Sequence, residues 1–254
     1  MALRAKNIVI LTHGWTGSSV FAALFGRAGL WLGSDTVAKA DYDTFENADL
    51  VTLNRRLLDE LAPELDHEHR FDPADVVAIE RAAANIDLKP YRTFVQQCSA
   101  HGAFVWKDPR LTWTIRIWAK LLDLERTSFL VLTRDDLQAW ISANARRHVQ
   151  SWDFTRRYNH GINASNGAFV RSLGRPVMQT SFEALLLEPE ETLARLNESY
   201  GLSLCLSDLM AVCREPLYRK SRGFGDLVEA TAIFLKNYRE RDGRGRGRAA
   251  AARG

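Results

Sequence analysis

The sequence predicts an α/β protein, a doubly wound parallel sheet of about four to five strands flanked by helices. Three observations carry that expectation. Short apolar runs, residues 8–11 and 129–132 above all, are rich in Val, Ile and Leu on both faces, as strands covered by helices above and below must be. Stretches with apolar residues at helical spacing alternate with such runs over most of the chain. Finally, 254 residues with 46% apolar and 26% charged composition can bury one substantial core, and nothing demands a second.

Taken in order, the first strand lies in NIVILTHGWTGSS (7–19), which runs through a small, hydroxyl-rich turn into an apolar helix ended by the Gly29 signal. A turn-rich stretch follows, then an amphipathic helix over roughly Ala48–Leu61 with Leu50, Leu53, Leu57 and Leu61 on one face. Asp72 and Pro73 open the next helix. KPYRTFVQQCSA forms a third and hands over to strand AFVWK. TWTIRIWAKLLDL is helical, TSFLVLT a strand and DDLQAWISANARRHV a helix. SWDFTRRYNHGINASNG reads as irregular and polar-aromatic, followed by a helix in GAFVRSLG, strand RPVMQT and helix PEETLARLNESY. The irregular stretches 31–47 and 150–165 are long for a compact domain, which marks them as substrate-binding or lid segments.

The net charge of +3 is unevenly placed. Residues 239–254 hold six Arg against two acids, so this segment alone is +4 and the remainder is −1. The body is therefore not a basic nucleic-acid binder, and the Arg/Gly/Ala-rich end reads as a solvated, disordered tail after a single domain at 1–238. No apolar run approaches the ~20 residues of a membrane span. Arg4 and Lys6 before an apolar stretch imitate a signal peptide. The run at 8–11 is only four residues long and lacks a small-residue cleavage site, so it reads as a strand and the protein as cytoplasmic. Cys98, Cys205 and Cys213 are widely placed without metal spacing and are expected as buried thiols.

The strand-to-helix turn at 14–19 leaves backbone N–H groups at a helix N-terminus aimed at an anion. Arg134 ends a second strand, with Ser142 eight residues on along the following helix. Two such devices at the carboxyl ends of strands point to a ligand with two separate phosphates. A guanidinium can grip a phosphate through two hydrogen bonds; an ion pair with Asp135 or Asp136 is the plainer role for Arg134. A nucleotide kinase would show Gly-x-x-x-x-Gly-Lys-Ser/Thr, but the spacing after Gly14 is wrong and no Lys precedes Ser18. An α/β-hydrolase would follow His13, Gly14, Trp15, Thr16 and Gly17 with a Gly-x-Ser-x-Gly elbow. The nearest candidate, around Ser165, has no strand before it.

Several stretches, in chain order, resemble the sulfotransferase family. Residues 15–19 (WTGSS) align with its Lys/Arg-Ser-Gly-Thr-Thr/Ser loop, and Arg134 with Ser142 matches its Arg and Ser eight residues apart. VWKDPRL (105–111) looks like the Lys-Asp-Pro-Arg segment of bacterial members. Residues 179–202 look like their Tyr-Glu-Asp-Leu stretch, with Phe182 and Glu183 in place of Tyr-Glu. YRKSRGFGD (218–226) resembles a late Arg-Lys-Gly stretch, with Ser221 for the Gly.

The resemblance implies a P-loop-like fold and transfer of a sulfuryl group from 3′-phosphoadenosine-5′-phosphosulfate, without a metal, to a hydroxyl or amine. The acceptor would be a carbohydrate, a lipid or a small metabolite. Gly14, Trp15, Thr16, Gly17, Ser18, Ser19, Arg134, Ser142, Arg219 and Lys220 would bind the donor, and Phe182 would sit near the adenine. Trp15 stands where the family has its loop cation. Lys107, at a strand end, is the expected substitute, or else the protein is a catalytically silent nucleotide-binding module. Arg110 either clamps substrate or pairs with a carboxylate. The base is expected among Asp41, Asp43, Glu46, His13 and Asp108.

Overall fold

A computed structural model of the chain describes residues 6–40, 42–175, 177–213 and 223–251, with side chains described as far as residue 237. The chain begins β1 (Asn7–Thr12), α1 (Ser18–Arg27), β2 (Thr36–Ala38), β3 (Asp43–Asn47), α2 (Ala48–Leu61), α3 (Pro73–Ala82) and α4 (Lys89–Ala100). It continues β4 (Val105–Lys107), α5 (Leu111–Trp118), β5 (Thr127–Thr133), α6 (Asp136–Ala145) and α7 (Trp152–Ser172). The last elements are β6 (Met178–Ser181), α8 (Phe182–Leu187), α9 (Pro189–Tyr200), α10 (Leu206–Val212) and α11 (Phe224–Ala251). None of the described helices is long and apolar enough to cross a membrane.

Four strands form one parallel sheet in the order β4-β1-β5-β6. Side chains alternate across it, as the two-residue period requires. Val9, Leu11, Trp106, Phe129 and Val131 share one core with residues of α2 to α5 and α7. Ile8, Ile10, Val105, Leu130 and Leu132 share the other with residues of α1, α8, α9 and α10. The sheet is thus wound on both faces, as expected from strands apolar on both sides. Trp106 anchors the first layer, its ring centroid 5.5 Å from Phe94, 5.1 Å from Phe104 and 5.0 Å from Trp118.

The strand order decides where a ligand can sit. From β1 the chain reaches β4 on one side, then crosses to β5 on the other. The loops leaving β4 and β1 therefore part from those leaving β5 and β6, opening a crevice at the carboxyl ends.

The two stretches read as irregular are ordered. Residues 152–167 form the first turns of α7 rather than an irregular segment, with Tyr158 and Asn159 lining the cavity described below. The Ser151 hydroxyl accepts a hydrogen bond from the Phe154 N–H (3.2 Å) at its start. The buried face carries Thr155, Asn159, Ile162, Asn166, Phe169 and Val170 at helical spacing. Half of that stripe is polar, so apolar periodicity did not reveal it; Asn166, for one, donates to Thr112 Oγ1 at 3.3 Å. The 31–47 stretch contains the antiparallel pair β2–β3, whose last residue caps α2 through Asn47 Oδ1 and the Leu50 N–H (3.1 Å). The cysteines also differ from expectation. Cys98 is buried, Cys213 is half-buried, and Cys205 is exposed because it sits at the start of α10 with its sulfur 3.0 Å from the Ser207 hydroxyl.

A buried polar cluster fixes the turn after β4. Asn54 of α2, fully buried, donates to Asp108 Oδ2 (2.9 Å) and accepts from Thr114 Oγ1 and Trp118 Nε1, both at 2.8 Å. Asp108 Oδ1 in turn accepts from the Arg110 amide and guanidinium at 3.0 Å each. Replacing Asn54 by Ala takes a partner from three buried polar groups and leaves the Trp118 indole N–H without one, so Asn54→Ala should cost about 2–4 kcal/mol of stability. Urea unfolding measures it, and a loss below about 1 kcal/mol would show that the cluster contributes little.

Candidate active site

A cavity of about 710 Å³ opens at the carboxyl ends of the sheet. Every strand of the sheet sends residues to it. Gly14 to Ser19 follow β1, Lys107 ends β4 with Pro109 and Arg110 beyond, Arg134 follows β5 and Phe182 follows β6. Glu46 comes from β3 and Ser142 from α6. Six cations (Lys39, Arg55, Lys107, Arg110, Arg134, Arg146) line it against three carboxylates (Glu46, Glu68, Glu229), a balance suited to an anionic ligand.

The loop after β1 is held from below. Thr12 Oγ1 lies 2.6 Å from Thr16 Oγ1 and 3.1 Å from the Leu132 carbonyl oxygen. Thr16 is fully buried, so its hydroxyl ties the loop together rather than standing free for a ligand. Trp15 and Gly17 both take left-handed backbone conformations, with φ of 68° and 73°. In a bulky residue such a conformation marks a backbone held in place by its surroundings. Arg134 is part of that hold, donating from Nη1 to the Trp15 carbonyl at 2.9 Å. At Gly17 a Cβ would lie 2.4 Å from the Phe182 ring. Glycine is therefore required there by packing against β6's end as well as by its φ. The N-terminus of α1 has no side-chain cap and no acid in its first turn, so its amides and dipole face the cavity uncompensated.

Lys107 and Glu46 meet at the end of this loop. The Lys107 side chain is 4% exposed, and its ammonium donates to Glu46 Oε1 at 2.6 Å, the Thr44 carbonyl at 3.2 Å and Ser19 Oγ at 3.4 Å. A cation is thus delivered to the first turn of α1 from the neighbouring strand. Arg134 sits 5.0 Å over the Phe182 ring and 3.4 Å from Glu183, which also accepts from the Asp135 amide at 3.1 Å. Its carboxylate partner is therefore Glu183, not Asp135 or Asp136. Asp135 instead caps α6 through the Gln138 amide, and Asp136 pairs with His160 at 2.9 Å. Ser142 is buried in the wall of the same cavity. Arg110 lines the cavity and also pairs with Asp108 at 3.0 Å, so both of its expected roles coexist.

The other base candidates are drawn elsewhere. Asp43 accepts from Thr36 Oγ1 at 2.5 Å and from the Phe45 amide at 2.7 Å, which commits it to the hairpin. Asp108 is fully buried in the Asn54 cluster, where desolvation raises its pKa. His13 is buried with Nδ1 2.7 Å from the Gly14 carbonyl, and burial lowers its pKa to about 4. None of these three lines the cavity. Asp41, Arg219 and Lys220 lie outside the described residues. Tyr42, one of the aromatics that mark the 31–47 stretch as an acceptor pocket, does line the cavity; sequence reasoning missed Lys39, Arg146 and His148, which gather with it around Trp15 at the rim. Only the spacing of Arg146, one turn beyond Ser142, hinted at its place.

No family model and no curated protein sequence matches the chain. Among solved structures, the chain is similar to the sulfotransferase domain of the Synechococcus PCC 7002 olefin synthase: 15% identity, 85% of this chain and 82% of that one covered, TM-score 0.47. It is also similar to the sulfotransferase domain from the curacin biosynthetic pathway, with 15% identity, 90% and 83% covered and TM-score 0.49. A third is retinol dehydratase in complex with androsterone and inactive cofactor PAP, with 12% identity, 84% and 64% covered and TM-score 0.36.

His13 gives the fold a pH signature. Above pH ~6.5 the imidazole is neutral both folded and unfolded, and the two states bind protons alike. Between ~6.5 and the folded value of about 4, only the unfolded chain takes up the proton, so stability falls as pH falls. The loss should reach about 2–3 kcal/mol by pH ~4.5. His13→Gln should abolish that component in urea unfolding at pH 7 and 4.5. Equal pH dependence in both proteins would show that His13 is not held neutral.

Proposed function

We propose that the protein is a sulfotransferase that uses 3′-phosphoadenosine-5′-phosphosulfate and transfers its sulfuryl group to a hydroxyl or amine of a small-molecule or glycan acceptor. The observation that carries this reading is the meeting, in one cavity, of the uncapped α1 N-terminus, Lys107 and the Arg134–Ser142 pair. These are the positions at which the sequence resembles the family. An uncapped helix end and a buried ammonium suit the 5′-phosphosulfate; a guanidinium with a hydroxyl suits the 3′-phosphate.

In this mechanism the Ser18 and Ser19 amides hold the phosphosulfate in line with the acceptor. The acceptor oxygen forms a bond to sulfur as the bond from sulfur to the bridging oxygen breaks. That electron pair leaves with the 5′-phosphate, giving adenosine 3′,5′-bisphosphate and a sulfate ester. Lys107, 3.4 Å from Ser19, stabilises the charge growing on the bridging oxygen. Glu46 takes the acceptor proton; among the carboxylates named as base candidates and described, it alone lines the cavity. Its 2.6 Å contact with Lys107 places it beside the reacting centre.

Trp15 favours one other reading, a nucleotide-binding module that performs no transfer, because the loop itself supplies no cation. The two readings part on turnover, not on nucleotide binding.

Calorimetry with adenosine 3′,5′-bisphosphate and with AMP tests the first step. The bisphosphate should bind much more tightly, and Arg134→Ala should weaken it by about 2–4 kcal/mol through loss of a charge-assisted contact. Equal affinity for both nucleotides rules out the assignment.

Lys107→Met separates binding from chemistry. The variant should hold the bisphosphate within several-fold of wild type and lose about 10²-fold or more in kcat, because the cation acts mainly in the transition state. Circular dichroism checks that it folds. A nearly unchanged kcat would assign the charge to another residue, and a wild type that binds but never transfers would establish the silent module.

A further inference from the structure

The residues assigned to the donor leave one cationic cluster of the cavity unused. Lys39, in the turn between β2 and β3, stands with its ammonium 5.5 Å from the Trp15 ring centroid and 5.8 Å from that of Tyr42. Arg146, just past the end of α6, stands over the same two rings at 5.7 Å and 5.0 Å, and its Nη1 donates to the Tyr42 hydroxyl at 2.9 Å. Two cations from different elements thus share one pair of aromatic faces. Among the described residues no carboxylate lies within ion-pair distance of either. Glu46 is engaged by Lys107, and the cavity's other acids, Glu68 and Glu229, pair with neither cation.

We propose that Lys39 and Arg146, with the rings of Trp15 and Tyr42, form a subsite for an oxyanion carried by the acceptor: a carboxylate, phosphate or sulfate group separate from the hydroxyl that reacts. The inference rests on the sulfotransferase reading. Both phosphate positions of the donor are already provided for, one by the loop and Lys107, the other by Arg134 and Ser142. The hairpin that presents Lys39 and Tyr42 also presents Thr44 and Glu46 to Lys107. The hairpin therefore joins the cluster to the reacting centre, and an acceptor lying along it would bring its hydroxyl to Glu46 and its anion to Lys39 and Arg146. Two like charges brought together at the mouth of a cavity repel each other, and a bound anion relieves that repulsion. Trp15 then has a purpose where the family's loop carries a cation: its ring is the platform for two cations supplied from elsewhere.

The test uses inorganic pyrophosphate as probe and calorimetry as readout, on protein first saturated with adenosine 3′,5′-bisphosphate. Pyrophosphate should still bind, and the double variant Lys39→Gln, Arg146→Gln should weaken it at least tenfold while keeping bisphosphate affinity within about threefold. Lys107→Met, which alters the position of the transferring group, should leave pyrophosphate binding within about threefold. The proposal is overturned if the loaded wild type binds no pyrophosphate, if the double variant binds it equally well, or if the double variant loses the bisphosphate, which would assign the cluster to the donor. A pyrophosphate site that depends on Lys107 and not on Lys39 and Arg146 overturns it too. Failure of the underlying reading looks different: wild type then binds no bisphosphate at all. Gln keeps most of each stem over the rings, and thermal unfolding of the double variant within a few degrees of wild type shows that it folds.

Discussion

An ammonium on a side chain that is buried must be surrounded by acceptors, and Lys107 organises its neighbourhood accordingly. It stands at the end of β4, draws in the Glu46 carboxylate and Thr44 carbonyl of β3, and reaches the Ser19 hydroxyl at the start of α1. Three segments far apart in sequence are thereby tied at one point beside the central strand. Taking either charge away would leave the other in a nearly dry place, at a cost well above that of a surface pair. The Thr44 and Glu46 end of the hairpin is anchored to β4 by this one cation.

Beneath that tie, the strand order gives the site its shape. With β1 flanked by β4 and β5, the central strand ends where the chain's two directions of winding separate, so its loop looks into open space rather than at a neighbouring connection. Asn54 secures one wall of that space by holding the turn after β4 through Asp108. Arg134 secures the other by gripping the Trp15 carbonyl. Both walls are thus hydrogen-bonded to buried or partly buried groups.

Much of this was legible in the chain. Val, Ile and Leu runs announced β1 and β5, the two central strands, because each is buried on both faces. The first helix, α4 and α9 announced themselves by apolar spacing and by Gly or Pro at their ends. Lys107, Arg134 and Ser142 could be singled out because each lies just past or within an element whose position was already known. What stayed hidden was hidden for physical reasons. The buried stripe of α7 is half Thr and Asn, whose burial depends on partners from other elements. Asp43 and Glu46 look equivalent in sequence, yet the alternation of a strand turns one toward Thr36 and the other toward Lys107. The gathering of Lys39, Tyr42 and Arg146 around Trp15 joins a hairpin to a helix end 104 residues away, and no local pattern encodes such a meeting.

Phe182 fills the space that a side chain at position 17 would need. The first residue of α8, at the far side of the sheet, therefore sets how near the β1 loop can lie to the strands below it. These two positions are not free to drift independently over evolutionary time: a larger residue at 17 becomes tolerable only after 182 has shrunk. A smaller residue at 182 would let the loop sink and would remove the face on which Arg134 rests. The shape of the anion-binding turn is in that sense written partly at the other end of the sheet, and a relative with a changed turn should carry its matching change there.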